Sequence, residues 1–190
     1  MRARRRTKNN FAKHALLGHR FQSSSEGGEQ TMSKPGEVAE EIERLGEAFA
    51  VLVEALDAAV LHGRASEDAW SIAEIAGHAS EFPRTFGSKA LELSRNPGMA
   101  FGRGLDDPGR LSGPTAMGTA TPTEASQRLR EASQDSGAFV RRIDPANWAV
   151  TGTRPDGTSI AVGQILGTLV RDHLRGHLEQ ARATSGIING

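Results

Sequence analysis

The chain of 190 residues contains no cysteine and no tyrosine, and both absences restrict its chemistry. Without cysteine there can be no disulfide, zinc ribbon, iron–sulfur ligation or cysteine nucleophile. Without tyrosine there is no phenol to act as an acid. Proton transfer near neutral pH therefore falls to the six histidines, or to a carboxyl or lysine whose pKa is shifted.

Long apolar runs and net charge are also missing. No segment approaches the ~18 consecutive apolar residues of a membrane-spanning helix, so we expect no membrane insertion and a cytoplasmic location. The 23 lysines and arginines match the 23 aspartates and glutamates. This balance argues against a globally basic nucleic-acid-binding protein.

The charge is unevenly distributed along the chain. Residues 1–31 carry a net charge of +5 and residues 32–190 a net charge of −5. A segment of low hydrophobicity and high net charge does not favour folding, so we predict a basic, disordered leader at 1–31 and one domain at 32–186. The leader could stem from a start codon upstream of a natural start at Met32. A transit peptide and an arm that touches nucleic acid are the alternatives.

The first helix is predicted from the spacing of apolar residues. These recur at intervals of three and four from Val38 to Val60, as on one face of a helix. Pro35 suits the first turn, and Gly63 is placed to end the helix. The sequence therefore predicts one long amphipathic helix up to Gly63.

The second and third helices have clear start signals. Ser71-Ile72-Ala73-Glu74 and Thr121-Pro122-Thr123-Glu124 both match the capping box, in which the first and fourth residues bond each other's backbone amides. Pro83 interrupts the second helix and is expected to bend it. Between the two helices, residues 96–120 are rich in glycine and proline and predict a long loop.

The fourth helix is predicted to start near Thr158 or Ser159, after a Pro155-Asp156-Gly157 turn, and to end near Ala183. In no segment do apolar and polar residues alternate over enough positions to predict a strand. Four amphipathic helices around one core predict an all-α four-helix bundle. The long loop between helices two and three is then a crossover or a lid.

Three histidines are candidate metal ligands. His173 and His177 are four residues apart, so they share one face of the fourth helix, and His78 lies on the inward stripe of the second helix. A divalent metal would bind three such imidazoles in their neutral form and keep a fourth position open, as in catalytic zinc sites. The alternative is that histidines at this spacing only form hydrogen bonds in the core. Gly77, before His78, either permits a close backbone approach or is a coincidence.

Three segments of the chain resemble the DinB-like superfamily of metal-binding four-helix bundles. They are Trp70–His78, the loop Phe101–Pro108 and the terminal Asp172–Gln180, and they occur in the expected order over about residues 33–184. The resemblance implies that His78, His173 and His177 bind a divalent metal, with zinc or nickel usual, and that the protein is a homodimer. It also implies a small-molecule substrate.

The resemblance leaves several functions open. The superfamily includes S-transferases that use bacillithiol, mycothiol or glutathione, a thiol-dependent maleylpyruvate isomerase, and proteins described as metal-dependent hydrolases. We predict a thiol-dependent S-transferase that uses a metal-bound low-molecular-weight thiol. The alternatives are a hydrolase that uses metal-activated water, and a non-catalytic binding or stress-response module in which the metal only holds the helices together.

Four further residues are weaker candidates. Glu81 follows His78 by three residues and Gln180 follows His177 by three, so either could act as a catalytic group, with a solvated or supporting role favoured. Arg103 and Asp106, in the long loop, could bind the polar groups of a substrate or thiol. The alternative for this loop is a surface segment stabilised by salt bridges.

Overall fold

The computed structural model describes residues 34–103 and 107–189. The predicted leader and the candidate Asp106 lie outside these residues. The helices are α1 Pro35–Glu54, α2 Ala58–His62, α3 Ile72–Arg95, α4 Ser112–Ala116, α5 Pro122–Arg141, α6 Val162–Gln164 and α7 His173–Asn189, with β-strands β1 Thr151–Thr153 and β2 Ser159–Ala161. Short 3₁₀ helices occupy Pro108–Leu111 and Pro145–Asn147, and π-helical turns over Ile165–Asp172 connect α6 to α7.

The long helices form a four-helix bundle, as the sequence predicts. Helix α1 packs against α5, α5 against α3, α3 against α7, and α7 against α1. Each helix contributes side chains that are almost fully buried, and among the largest are Phe49, Ile75, Leu129 and Leu174. Burial of such side chains is the main stabilising contribution to a bundle of this kind. Within the described part of the chain, no helix has both the length and the apolar character needed to cross a bilayer.

Both predicted capping boxes are present. The Ser71 hydroxyl accepts a hydrogen bond from the Glu74 amide at 3.2 Å, and the Glu74 carboxylate accepts one from the Ser71 amide at 2.8 Å. Thr121 and Glu124 form the equivalent pair at 3.2 Å and 2.8 Å. These bonds satisfy amides that a helix N-terminus otherwise leaves without partners, which is why the two motifs locate the helix starts so well.

The prediction of one continuous first helix up to Gly63 is wrong. Helix α1 ends at Glu54, and a separate helix α2 begins after Asp57. The Asp57 carboxylate accepts a hydrogen bond from the Val60 amide at 2.8 Å, so this residue caps a new helix instead of continuing the old one. The apolar spacing runs across the break because both helices pack on the same core.

The predicted all-α class is confirmed, and the structure adds two short strands that the sequence did not indicate. Strands β1 and β2 form a short antiparallel hairpin, and the fourth helical segment starts at Val162 instead of Thr158 or Ser159. Gly157, with a φ of 83°, supplies the turn conformation that L-residues rarely adopt. Strands of three residues are too short for alternation to reveal them in the sequence.

The long loop after α3 is anchored to this hairpin. The Phe101 amide donates to the Thr153 carbonyl at 2.8 Å, and the Thr153 amide donates to the Met99 carbonyl at 3.0 Å. Farther on, the loop forms a 3₁₀ helix and α4, and α4 packs against α3. The described part of the loop is therefore held in place by backbone hydrogen bonds and by helix packing.

Gly77 permits a close backbone approach between α3 and α4. A Cβ at this position would clash with the carbonyl of Gly113, and a Cβ on Gly113 would clash with that of Gly77. We expect Gly77→Ala to destabilise the fold by about 1–3 kcal/mol because the backbone of α4 must move. Gly186→Ala in α7 is the matched control, since a Cβ there meets nothing within 4 Å, and we expect it to stabilise the fold by about 0.5–1 kcal/mol. Urea denaturation measures both changes, and equal effects would contradict the close approach.

Glu41 links α1 to α7 and makes stability depend on pH. Hydrogen bonds from Arg44 and then Arg175 lower the pKa of this carboxyl from 4.5 to about 2. Because the folded-state pKa is the lower one, the stabilisation is fully present above pH 4.5 and is lost as the pH falls through about 2. We expect Glu41→Gln to lower the free energy of unfolding by about 1 kcal/mol at neutral pH.

The measurement for Glu41 is the difference in unfolding free energy between wild type and Glu41→Gln as a function of pH. Loss of a bound metal in acid is common to both proteins and cancels in this difference. We expect the difference to shrink between pH 4.5 and about 2. A difference that stays constant across this range would contradict the assignment.

Candidate metal centre

The three candidate histidines meet between α3 and α7. The Nε2 atom of His173 lies 3.0 Å from Nε2 of His78 and 3.0 Å from Nε2 of His177. His78 is buried on the second turn of α3, whereas His173 and His177 are half-buried at the start of α7. The structure thus brings together two ligand candidates from one helix and one from its neighbour.

His173 and His177 share one face of α7, as predicted, and this face lies beside the buried stripe of the helix. The buried apolar residues of this helix are Leu174, Leu178 and Ala181. Leu174 and Leu178 each follow one of the two histidines directly in the sequence. His173 and His177 therefore lie at the edge of the core that faces α3, and not at its centre. The π-helical turns that end at Asp172 immediately precede them.

The geometry of the three nitrogens fits a divalent metal. Metal–nitrogen bonds of about 2.0–2.1 Å in a tetrahedral site put neighbouring nitrogens about 3.3 Å apart. The observed separations of 3.0 Å are close to this value. The cluster in the described residues comprises three histidines and no carboxylate. Imidazole-only ligation suits zinc, nickel, copper and iron, and three ligands leave one tetrahedral position for a small molecule.

Gln180 fixes the orientation of His177. Its side-chain oxygen accepts a hydrogen bond from Nδ1 of His177 at 2.9 Å. With the proton on Nδ1, the lone pair of a neutral His177 lies on Nε2, the atom that points at the other two rings. Burial lowers the pKa of His177 below its ordinary value of 6.5, with an opposing contribution from the Gln180 hydrogen bond. The imidazole is therefore held in the neutral form that binds metals.

Two aromatic rings border the centre. Phe82 stacks on His173 with ring centroids 4.0 Å apart, and Trp70 meets His78 edge-on at 5.3 Å. Sequence reasoning missed the contact of these two rings with the candidate histidines. The signal was present, because Phe82 follows His78 by one helical turn. Both rings restrict the rotamers of the histidines and exclude water from these sides.

Glu81 and Arg103 bind each other. The Arg103 guanidinium donates to the two carboxylate oxygens of Glu81 at 2.7 Å and 3.1 Å, and Thr85 donates to the same carboxylate at 2.7 Å. The Arg103 side chain is only 7% exposed. This bidentate pair ties the long loop to α3 one turn beyond His78. A catalytic role of Glu81 and a substrate-binding role of Arg103 stay predictions.

We expect His78→Ala, His173→Ala and His177→Ala each to lose bound metal, because two imidazoles do not hold a divalent ion as three do. Metal content per chain of the purified protein measures this. His62→Ala is the matched control, since His62 bonds the Ala120 carbonyl in the segment between α4 and α5 at 3.0 Å and should leave the metal content unchanged. Full metal retention in all three variants would contradict the site.

Gln180→Leu should bind the metal about tenfold more weakly than wild type, because His177 loses the hydrogen bond that fixes its tautomer. Competition with a chromogenic chelator measures the affinity. Glu179→Gln, at the neighbouring exposed position of α7, serves as the control. Equal affinities for Gln180→Leu and wild type would show that Gln180 does not orient the ligand.

Comparisons with known proteins identify the family of the chain. The family model described as the DinB superfamily matches residues 41–181. A solved structure of similar fold is YfiT from Bacillus subtilis, described as a probable metal-dependent hydrolase with an unusual four-helix bundle topology. It superposes with a TM-score of 0.65 at 16% identity, covering 86% of this chain and 94% of YfiT. A search of curated proteins gives no match. The fold and the family-wide match together show that this chain belongs to the DinB superfamily.

Proposed function

We propose that this protein is a metal-dependent S-transferase that joins a low-molecular-weight thiol to a small-molecule electrophile. The observation that carries the proposal is the convergence of the Nε2 atoms of His78, His173 and His177 in a cluster without carboxylates. A zinc or nickel ion held there supplies a Lewis acid that lowers the pKa of a thiol or water reaching its open position.

Residues of the chain itself prepare this site. The three imidazoles are neutral ligands, so the full charge of a divalent ion is available to attract an anionic sulfur. Gln180 holds the tautomer of His177. Phe82 and Trp70 keep water away from two sides, which strengthens electrostatic interactions at the centre.

One feature favours a thiol over water as the nucleophile. Since the chain has no cysteine, that thiol would come from a second small molecule. Glu81 is the first carboxylate after His78 in the sequence. Arg103 donates hydrogen bonds to both of its oxygens. A hydrolase needs a base to deprotonate or orient water, whereas a coordinated thiol loses its proton directly to solvent.

The second candidate function is metal-dependent hydrolysis, and the likeness to YfiT favours it. The same three histidines would hold the ion, and water would take the open position. We place either reaction in the cytoplasm, where thiols are kept reduced.

Calorimetry of the metal-loaded protein with bacillithiol, mycothiol and glutathione tests the proposal. We expect one of these thiols to bind saturably and to raise the melting temperature, since a ligand of the folded state stabilises it. His177→Ala should lose the binding and His62→Ala should keep it. S-methylated forms of the same thiols are the matched ligands, and they should bind more weakly because they cannot supply an anionic sulfur.

Failure of all three thiols to bind would overturn the transferase proposal. Turnover of activated esters or amides by the loaded protein, lost in His177→Ala, would then establish hydrolysis. If the metal is present but neither thiols nor such substrates interact, the centre serves only to hold α3 to α7.

A further inference from the structure

A small recess opens between the start of α3 and α4. Its volume is about 180 Å³, and its walls are Trp70, Glu74, Leu111, Pro114 and Thr115. Leu111 lies at the mouth with 47% of its surface exposed, which is unusual for a leucine in the described part of this chain. A concave, mostly apolar surface with an exposed apolar side chain at its edge is typical of a small-molecule site.

Trp70 connects this recess to the metal centre. The indole forms a wall of the recess and also meets the His78 ring edge-on, with centroids 5.3 Å apart and planes inclined by 65°. An occupant of the recess is therefore separated from a metal ligand by the edge of a single ring.

The charges around the recess are already neutralised. Glu74 is the charged residue in its wall, and this carboxylate accepts hydrogen bonds from Arg64 at 2.7 Å and from the Ser71 amide at 2.8 Å. On the other side of His78, Arg103 is bound to Glu81. Among the described side chains no cation lines the recess, so an anionic occupant would meet none of them, and a cationic one would have to compete with Arg64. An uncharged occupant has no charge to desolvate and therefore avoids this cost.

The volume sets the size of the occupant. An apolar cavity of about 150 Å³ holds one benzene molecule. The recess of about 180 Å³ thus accommodates one six-membered ring with a small substituent. The indole face of Trp70 offers offset or edge-on stacking to such a ring.

We infer that the recess between Trp70 and Leu111 binds an uncharged, single-ring aromatic group of the electrophilic substrate. This inference rests on the proposed function, because it assigns the ring to the molecule that receives the thiol. The Trp70 ring that lines the recess also contacts His78, which places a bound ring beside the candidate site.

Fluorine NMR titration of the full, metal-loaded chain with 4-fluorobenzyl alcohol tests the inference without any measurement of activity. We expect saturable binding, detected as line broadening and a shift of the fluorine signal. The matched probe 4-fluorobenzenesulfonate has the same ring and a negative charge, and we expect it to bind at least about tenfold more weakly because its charge is desolvated without a partner.

Leu111→Ser should weaken binding of the alcohol severalfold, because it removes an apolar wall at an exposed position without disturbing the core. Val51→Ser is the matched control, since Val51 is 55% exposed on α1, outside the recess wall, and should leave binding unchanged. Trp70→Leu should also weaken binding, and its metal content is measured alongside.

Three results would overturn the inference: no saturable binding of the alcohol, unchanged binding in Leu111→Ser, or sulfonate binding as tight as that of the alcohol. Different results reject the inference about the recess and the proposed transferase function. Binding of the alcohol that depends on Leu111, together with no binding of any thiol, would keep the recess as an aromatic subsite and reject the transferase. Thiol binding without alcohol binding would keep the transferase and reject the subsite.

Discussion

The arrangement of the site depends on the meeting of three imidazole nitrogens at the boundary between α3 and α7. Charged imidazoles at these distances would repel one another, so the arrangement favours neutral rings. A divalent cation bound among them would join the three rings through coordinate bonds. The interaction joins helices that are far apart in the sequence, so it links the chemistry of the site to the packing of the bundle.

The surroundings of the histidines serve to keep them in this arrangement. Gln180 determines which nitrogen of His177 bears the proton, and the rings of Phe82 and Trp70 limit how the other two imidazoles rotate. The contact of Gly77 with Gly113 lets α4 lie directly on α3 beside His78.

The long loop contributes to the site through a few strong contacts. Arg103 reaches from the loop to Glu81, and Phe101 packs edge-on against Phe86 with centroids 5.5 Å apart. Phe86 in turn stacks on Phe82, which stacks on His173. The loop is thus connected to His173 by a continuous set of packed rings. The composition of this segment predicts only a loop, yet its side chains pack against the helix that carries His78.

The sequence by itself determined the features that depend on short-range rules. Helical spacing identified the bundle, the capping boxes located the starts of α3 and α5, and the interval between His173 and His177 put them on one face. Only the tertiary structure decided that His78 joins them, that Arg103 binds Glu81, and that Trp70 belongs both to the ligand surroundings and to a recess. The reason is physical: each of these contacts joins residues on different elements, and their separation depends on how helices and loop pack. The break at Asp57 and the hairpin of β1 and β2 escaped sequence reasoning for a different reason, because a single cap and strands of three residues leave too short a pattern to detect.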